Sequence, residues 1–265
     1  MEESRKLLEQ LSKDYEIIKN TPLLDKQVEE NFLKNAIVFY SKYIPKTNFD
    51  EIIKQYKILY IYNESKVEED ITPEEQLGIG KMYDYINNFD FKKDKFNFFI
   101  TPFLLHQILY SECNGKEFGG QLRDSNVFLQ GTNIEIVDYN IAKKEFNKYI
   151  SKSNEILADL DNSNLIEYIE KVVKIITDLI KLQPFCDGNK RTFRATLNLL
   201  LKRINLPPVY IDNKYKNEYK DALIKAMKYE DYNDMIKFYY SRIYDSIITL
   251  DINIDLIKKD ELKRI

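Results

Sequence analysis

The chain of 265 residues has no tryptophan, one histidine, two cysteines, seven glycines and seven prolines. Cys113 and Cys186 are too few for a disulfide framework or a zinc site, which points to a reducing compartment. The scarcity of glycine and proline suits a mostly helical chain with short connections. No apolar run approaches the ~20 residues needed to span a bilayer, so no membrane segment is expected. Neither sign of charge dominates: 40 Lys and Arg face 43 Asp and Glu, a formal charge of −3. That balance gives no global attraction to nucleic acid or to an anionic membrane surface. The opening Met-Glu-Glu-Ser-Arg is acidic and runs into an amphipathic pattern, so no secretory leader is expected. The Lys-Asp-Glu-Leu at 259–262 is internal and cannot act as a terminal retention signal. Together these features favour a cytoplasmic location. The missing tryptophan, beside twenty tyrosines, carries no functional message.

What is present is 44% hydrophobic residues, enough for a sizeable core, in helical rather than alternating patterns. Residues 3–62 read as two or three helices, marked by Leu7, Leu8, Leu11 and Ile17, by Val28, Phe32, Ile37 and Phe39, and by 52–62. Thr72-Pro73 followed by Glu74 and Glu75 is a helix start. Phe103 to Tyr110 and residues 138–157 are further helical stretches. Leu165, Ile169, Val172, Ile176 and Leu179 recur at helical spacing after Asn164, with Glu167 placed for a capping box. Pro184 should end that helix. Phe193, Leu197, Leu200 and Ile204 form the next stripe, stopped by Pro207-Pro208. Gly119 to Asn133 breaks the pattern: glycines bracket β-prone Val127 and Phe128, which reads as a hairpin. Met235, Ile236, Phe238 and Tyr239 should close the core, and the charged tail after about Asp251 should lie outside it.

The informative stretch lies between the two long helices: Gln183-Pro-Phe-Cys-Asp-Gly-Asn-Lys-Arg191. Gly188 lets the backbone approach a ligand. The amides of Gly188, Asn189 and Lys190 lie at a helix N-terminus, where free N–H groups and the dipole favour phosphate. Lys190, Arg191 and Arg194 add positive charge, and Arg191, Arg194 and Asn198 share one helix face. Asp187 is the odd member, and a lone carboxylate among phosphate-binding groups suits a magnesium ion bridging phosphates. Read from the residues alone, the stretch is also compatible with a glycine-capped corner carrying a solvated basic face.

This stretch resembles the signature of the Fic (Fic/Doc) family, His-Pro-Phe-x-Asp/Glu-Gly-Asn-Gly/Lys-Arg followed by x-x-Arg, at every position but the first. The resemblance implies an all-α fold: a Fic-like helical core over 62–245, one β-hairpin flap at 118–133, an N-terminal helical extension at 1–61 and a C-terminal tail at 246–265. It implies transfer of AMP from Mg·ATP to a hydroxyl of a target protein. In that scheme Phe185 anchors the loop, Asp187 binds Mg²⁺, and the amides that follow cradle the inner phosphates. Arg191 and Arg194 hold the outer phosphates, Asn198 sits near the nucleotide, and Tyr219, or less well Tyr215, lies by the adenine. Arg123, Val127 and Phe128 would belong to the flap, whose strand pairs with the target's backbone. The run 62–76 resembles the family's inhibitory segment, Ser/Thr-x-x-x-Glu-Gly/Asn. In one register Glu68 is the inhibitory glutamate paired with Arg194, with Glu64 and Glu69 at the flanking positions. A shift of one gives Ser65, Glu69 and Asp70. Read alone, the acidic run is a solvated turn.

The departure is Gln183. The family's histidine takes the proton from the attacking hydroxyl, as neutral imidazole can near pH 7, whereas an amide is not a usable base. The single histidine, His106, falls in a stretch similar to the family's Leu-His-x-x-Leu helix and reads as structural. An impaired adenylyltransferase, a nucleotide-binding pseudoenzyme, and a transferase of another phosphate-containing group all remain open, as does an introduced His-to-Gln change, since the codons differ by one base.

Overall fold

The computed structural model describes residues 2–43, 49–68, 70–129, 133–160 and 164–264. Ten α-helices account for most of them: α1 (Glu2–Asn20), α2 (Lys26–Tyr43), α3 (Phe49–Val67), α4 (Pro73–Asn88), α5 (Thr101–Leu109), α6 (Tyr139–Asp159), α7 (Leu165–Leu182), α8 (Asn189–Arg203), α9 (Lys216–Tyr229) and α10 (Asn233–Arg264). No described helix is long and apolar enough to cross a membrane.

Local chemistry accounts for the main boundaries. Thr72 caps α4: its side chain accepts from Glu75 N, Glu75 Oε2 accepts from Thr72 N at 2.9 Å, and Pro73 occupies the first turn. Asn164 caps α7 by accepting from Glu167 N. α7 ends at Leu182, one residue before Gln183, which takes the left-handed conformation at φ 45° ahead of Pro184. Gly188, at φ 71°, opens α8.

α8 is the middle of the molecule. Phe193, Leu197, Leu200 and Leu201 join a core built with α1, α2, α6, α7, α9 and α10. Ala195 and Leu199 join a second core with Tyr56 and Tyr60 of α3, Met82 and Tyr83 of α4, and Leu105 and Leu109 of α5. Buried on both sides, the helix positions whatever charge it carries. α4 and α5 approach closely at Gly78, where an added Cβ would fall 1.9 Å from the Leu109 carbonyl oxygen. The expected divisions at 61/62 and 245/246 fall inside α3 and α10. Leu11, Ile18, Phe32, Leu33 and Phe39 of the first two helices pack into the same core as α7 and α8. α10 continues through the expected tail, with Leu250 and Ile254 buried.

The expected β-hairpin is a correction. Among the described residues there is no strand: 121–129 and 133–138 have no regular structure beyond a bend at 124–125, and 130–132 of the expected flap lie outside the described residues. The physical reason lies in where the backbone groups go: Arg123 N bonds to Pro184 O at 2.9 Å, so this segment is tied to the signature loop rather than to a second strand. A two-stranded ribbon alone is at best marginally stable in water.

Gly78→Ala should destabilise the fold by about 1–3 kcal/mol, the usual cost of overpacking against backbone that cannot yield. Thermal unfolding of the purified variant checks this, and an unchanged midpoint would show that α4 and α5 can separate freely.

Candidate functional site

The loop between α7 and α8 is built by its own side chains. Asn189 turns inward: its Oδ1 accepts from Phe185 N at 2.9 Å, and its Nδ2 donates to Phe185 O at 2.8 Å and to Gln183 Oε1 at 3.0 Å. Gln183 Nε2 donates to Ile180 O at 2.7 Å, so both ends of the Gln183 amide are engaged. Phe185 is fully buried and stacks on His106 with ring centroids 3.9 Å apart. With the side chains turned in, the amides of the first turn of α8 are left facing outward, which suits an anion.

His106 ties the loop to the neighbouring segment. Gly120 N–H donates to its Nδ1 at 2.8 Å, which puts the ring proton on Nε2, 3.0 Å from the Asp187 carbonyl. Burial pushes the imidazole down to about 4. The histidine is therefore neutral and structural. Arg123 is likewise buried: Nε donates to Gln183 O at 2.7 Å, Nη1 to Ser125 O at 2.9 Å, and Nη2 to Val137 O. It ties residues 125 and 137 to the signature loop from inside and does not face outward. Val127 is half-buried and Phe128 is 90% exposed.

Lys190, Arg191 and Arg194 of α8 are paired with carboxylates. Arg191 Nη1 meets Glu75 Oε1 at 2.5 Å, and its Nη2 reaches Asp187 Oδ2 at 2.9 Å and Tyr110 Oη at 3.2 Å. Arg194 Nε meets Glu64 Oε2 at 2.8 Å, and its Nη1 meets Glu68 Oε1 at 2.8 Å. Glu68 Oε2 also binds Lys190 Nζ at 2.6 Å. Burial alone would raise the Glu68 carboxyl, but Arg194 and Lys190 outweigh it and hold it at about 2. Of the two registers, this contact network uses Glu68; Glu69 lies outside the described residues.

A cleft of ≈ 460 Å³ opens in front of these groups. Glu68, Gln183, Asp187, Lys190, Arg191 and Tyr219 line it, together with Phe128 at its rim. Arg194 does not, because Glu68 stands between it and the cleft. Asn198 stays apart too: it is buried, its Oδ1 accepts from Val209 N at 2.8 Å, and its Nδ2 donates to Val209 O at 2.9 Å. It holds the chain after α8 and does not line the cleft. Tyr219, buried on α9, packs its ring 5.7 Å from the Arg194 guanidinium carbon, whereas Tyr215 stacks on Arg242.

Sequence reasoning missed Glu75, Tyr110, and Lys216 and Lys220, which line the cleft from α9. Tyr110 carried a signal, since it stands one helical turn after His106 and its hydroxyl donates to Asp187 at 2.9 Å. Glu75 carried none beyond its capping role, because its partner is 116 residues away. Asp187 carries the one carboxylate of the loop, its side chain 74% exposed, and no group of three or more metal-ligating residues occurs among the described residues.

Residues 101–201 match the Fic/DOC family model. The chain is 27% identical over 150 residues to the protein adenylyltransferase Fic of Aedes aegypti, covering 56% of this chain and 28% of that protein. It is 26% identical over 167 residues to that of Nematostella vectensis, covering 62% and 36%. It thus spans only about a third of the length of these curated relatives. Its fold is similar to a fragment of Fic-1 from C. elegans, with TM-score 0.65 at 16% identity, covering 97% of this chain and 73% of that one. It is also similar to a Fic domain containing signaling protein from Bacteroides thetaiotaomicron VPI-5482, with TM-score 0.66 at 14% identity, covering 93% and 97%.

Stability should depend on His106. Its folded value of about 4 lies below the ordinary 6.5, so the unfolded chain binds the extra proton between those values. The stabilising preference for neutral imidazole is complete above pH 6.5 and is lost as pH falls towards 4. From pH 7 to pH 5 this group should remove about 2 kcal/mol. Urea unfolding of the chain and of His106→Asn at both pH values checks it: the variant should be less stable at pH 7 and lack this increment.

Proposed function

We propose that the Fic/DOC family domain at residues 101–201 binds ATP in the cleft before α8 and is built to transfer AMP to a hydroxyl of a target protein. One observation carries the reading. The Glu68 carboxylate is gripped by Lys190 and Arg194 at the mouth of an anion-binding helix N-terminus. A carboxylate held by an ammonium and a guanidinium stands in for a phosphate oxygen, so the same cations suit the outer phosphates once Glu68 withdraws. The names of the curated relatives point the same way.

In the transfer, the acceptor hydroxyl oxygen attacks the α-phosphorus, the bond to the bridging oxygen breaks and pyrophosphate leaves, while the hydroxyl proton passes to water because Gln183 cannot take it. The chain's groups contribute position and charge: the first-turn amides of α8 cradle the inner phosphates, and Lys190, Arg191 and Arg194 neutralise the outer ones. Tyr219 offers a ring face near the base. In this reading the exposed Phe128 and the residues before it would meet the target's backbone, which their exposure permits. Asp187 fits Mg²⁺, which needs only one or two carboxylates when phosphates and water complete its shell, and the ion would supply further neutralisation of the phosphates.

Gln183 favours a second reading beside the first. Its amide is committed to Ile180 and Asn189 and cannot accept the hydroxyl proton. Loss of a general base costs about a hundredfold to ten-thousandfold, so in this form the chain acts as a nucleotide-binding pseudoenzyme or a very slow transferase. Residue 183 sits at φ 45°, a conformation histidine adopts more readily than most side chains, so the family residue can be restored without remodelling the turn.

Two measurements test this. In calorimetry with Mg·ATP, Glu68→Gly should bind at least about tenfold more tightly than the unaltered chain, because a charged competitor has been removed. Equal affinity and stoichiometry would reduce the acidic run to a structural turn. With α-labelled ATP, Mg²⁺ and lysate of the source cell, the unaltered chain should label little or nothing, and Gln183→His combined with Glu68→Gly should label protein. Strong labelling with Gln183 in place would overturn the need for a base, and absence of nucleotide binding in every form would remove both readings.

A further inference from the structure

A second cavity, of ≈ 480 Å³, lies on the other side of Asp187 from the nucleotide cleft. The two share Glu75, Cys186 and Asp187, so the wall between them is the signature loop itself. Its apolar surface comes from Phe118, Leu122 and the ring of Tyr110, and its polar surface is strongly one-sided. Glu74, Glu75, Asp124 and Asp187 all line it, and among the described residues no lysine or arginine does. Glu75 and Asp187 are balanced from behind by Arg191, while Glu74 and Asp124 are exposed at the rim. The field is felt inside: Cys113, which lines the cavity, has its thiol pushed up by burial and by the Glu75 and Glu74 carboxylates.

We infer that this cavity receives a basic side chain of the target protein, one that neighbours the acceptor hydroxyl in the target's sequence. The inference rests on the transferase reading above and names a recognition element for it. An aliphatic stem against Phe118 and Leu122 with a cationic head near Glu74 and Asp124 matches the distribution of surface, since long basic side chains bury their stems and keep their charge near the rim. Position supports the same assignment. Leu122 and Asp124 flank Arg123, whose N–H is held by Pro184 O, so this wall of the cavity is fastened to the loop that also lines the nucleotide cleft. The two cavities share Cys186 and Asp187, so a target segment that directs its acceptor at the cleft brings a neighbouring residue to this cavity across the loop. Complementary charge there also selects against acidic targets, since unlike pairing raises encounter rates and like charges suppress wrong partners.

Cys113 provides a reporter independent of nucleotide and of catalysis. In a Cys186→Ser background it is the sole thiol. The probe is the peptide acetyl-Ala-Ser-Arg-Ala-amide, compared with the same peptide carrying neutral citrulline in place of arginine. The readout is the rate of Cys113 alkylation by iodoacetamide at fixed pH. At a few times a millimolar Kd, the arginine peptide should slow alkylation by about threefold or more, and the citrulline peptide should have a much smaller effect. Glu74→Gln with Asp124→Asn should abolish the difference while leaving ATP binding intact. Equal protection by both peptides, no protection by either, or a difference that survives the double substitution would each overturn the proposal. ATP calorimetry on the same protein separates this failure from failure of the transferase reading: a chain that binds ATP yet shows no charge preference at Cys113 loses only the basic-side-chain pocket.

Discussion

Burial of charge on α8 is the constraint from which the rest of the site follows. Arg191 and Arg194 project from a helix packed on both sides, and their side chains are only 4% and 3% exposed. A guanidinium cannot be left unpaired there, because removing one partner of a buried ion pair costs about 3–5 kcal/mol. The carboxylates come from the α3–α4 corner: Glu64 and Glu68 for Arg194, Glu75 for Arg191. Glu64 is committed twice, since its other oxygen accepts from Ile211 N at 3.2 Å, which also fixes the chain that follows α8. The corner therefore docks where α8 needs counter-charge, and the mouth of the cleft is set by that docking.

The two arginine partners on α3 differ in kind. Glu64 lies within the helix and is 3% exposed. Glu68 lies one turn on, beyond the last helical residue Val67, and faces the cleft. Withdrawing Glu68 needs no melting of α3, whereas withdrawing Glu64 does. Two carboxylates of different burial thus share one guanidinium, Glu64 from within the helix and Glu68 from beyond its end. The loop in front is held in the same way: Asn189 bonds to Gln183 and to the Phe185 backbone, His106 to Asp187 O and Gly120 N, and Arg123 to Gln183 O.

The resemblance in nine residues pointed to the right scaffold, and residue spacing located the helices. The caps at Thr72 and Asn164, the stop before Pro184 and the buried faces of α7 and α8 are local features, and each is visible within a few residues of sequence. The flap was misread because Val127 and Phe128 have the composition of a strand, and composition cannot say whether a second strand is present to pair with them. Asn198 likewise depends on a tertiary contact. Its spacing from Arg194 set its helix face correctly, but whether that face meets a ligand or Val209 depends on where the chain goes after α8.

By itself the sequence determined the helical class, the caps at Thr72 and Asn164, the stop before Pro184 and the glycine turn that opens α8. These follow from dihedral preferences, caps and side-chain chemistry, which act over a turn or two of chain. Tertiary structure alone decided that Glu75 faces Arg191, that Glu64 and Glu68 divide Arg194 between them, that Lys216 and Lys220 enter the cleft from α9, and that an acidic cavity lies behind Asp187. The partners in the arginine pairs are 116 to 130 residues apart. No local propensity encodes such a pairing, since it arises when apolar burial brings the helices together and the charges caught between them must be neutralised in place.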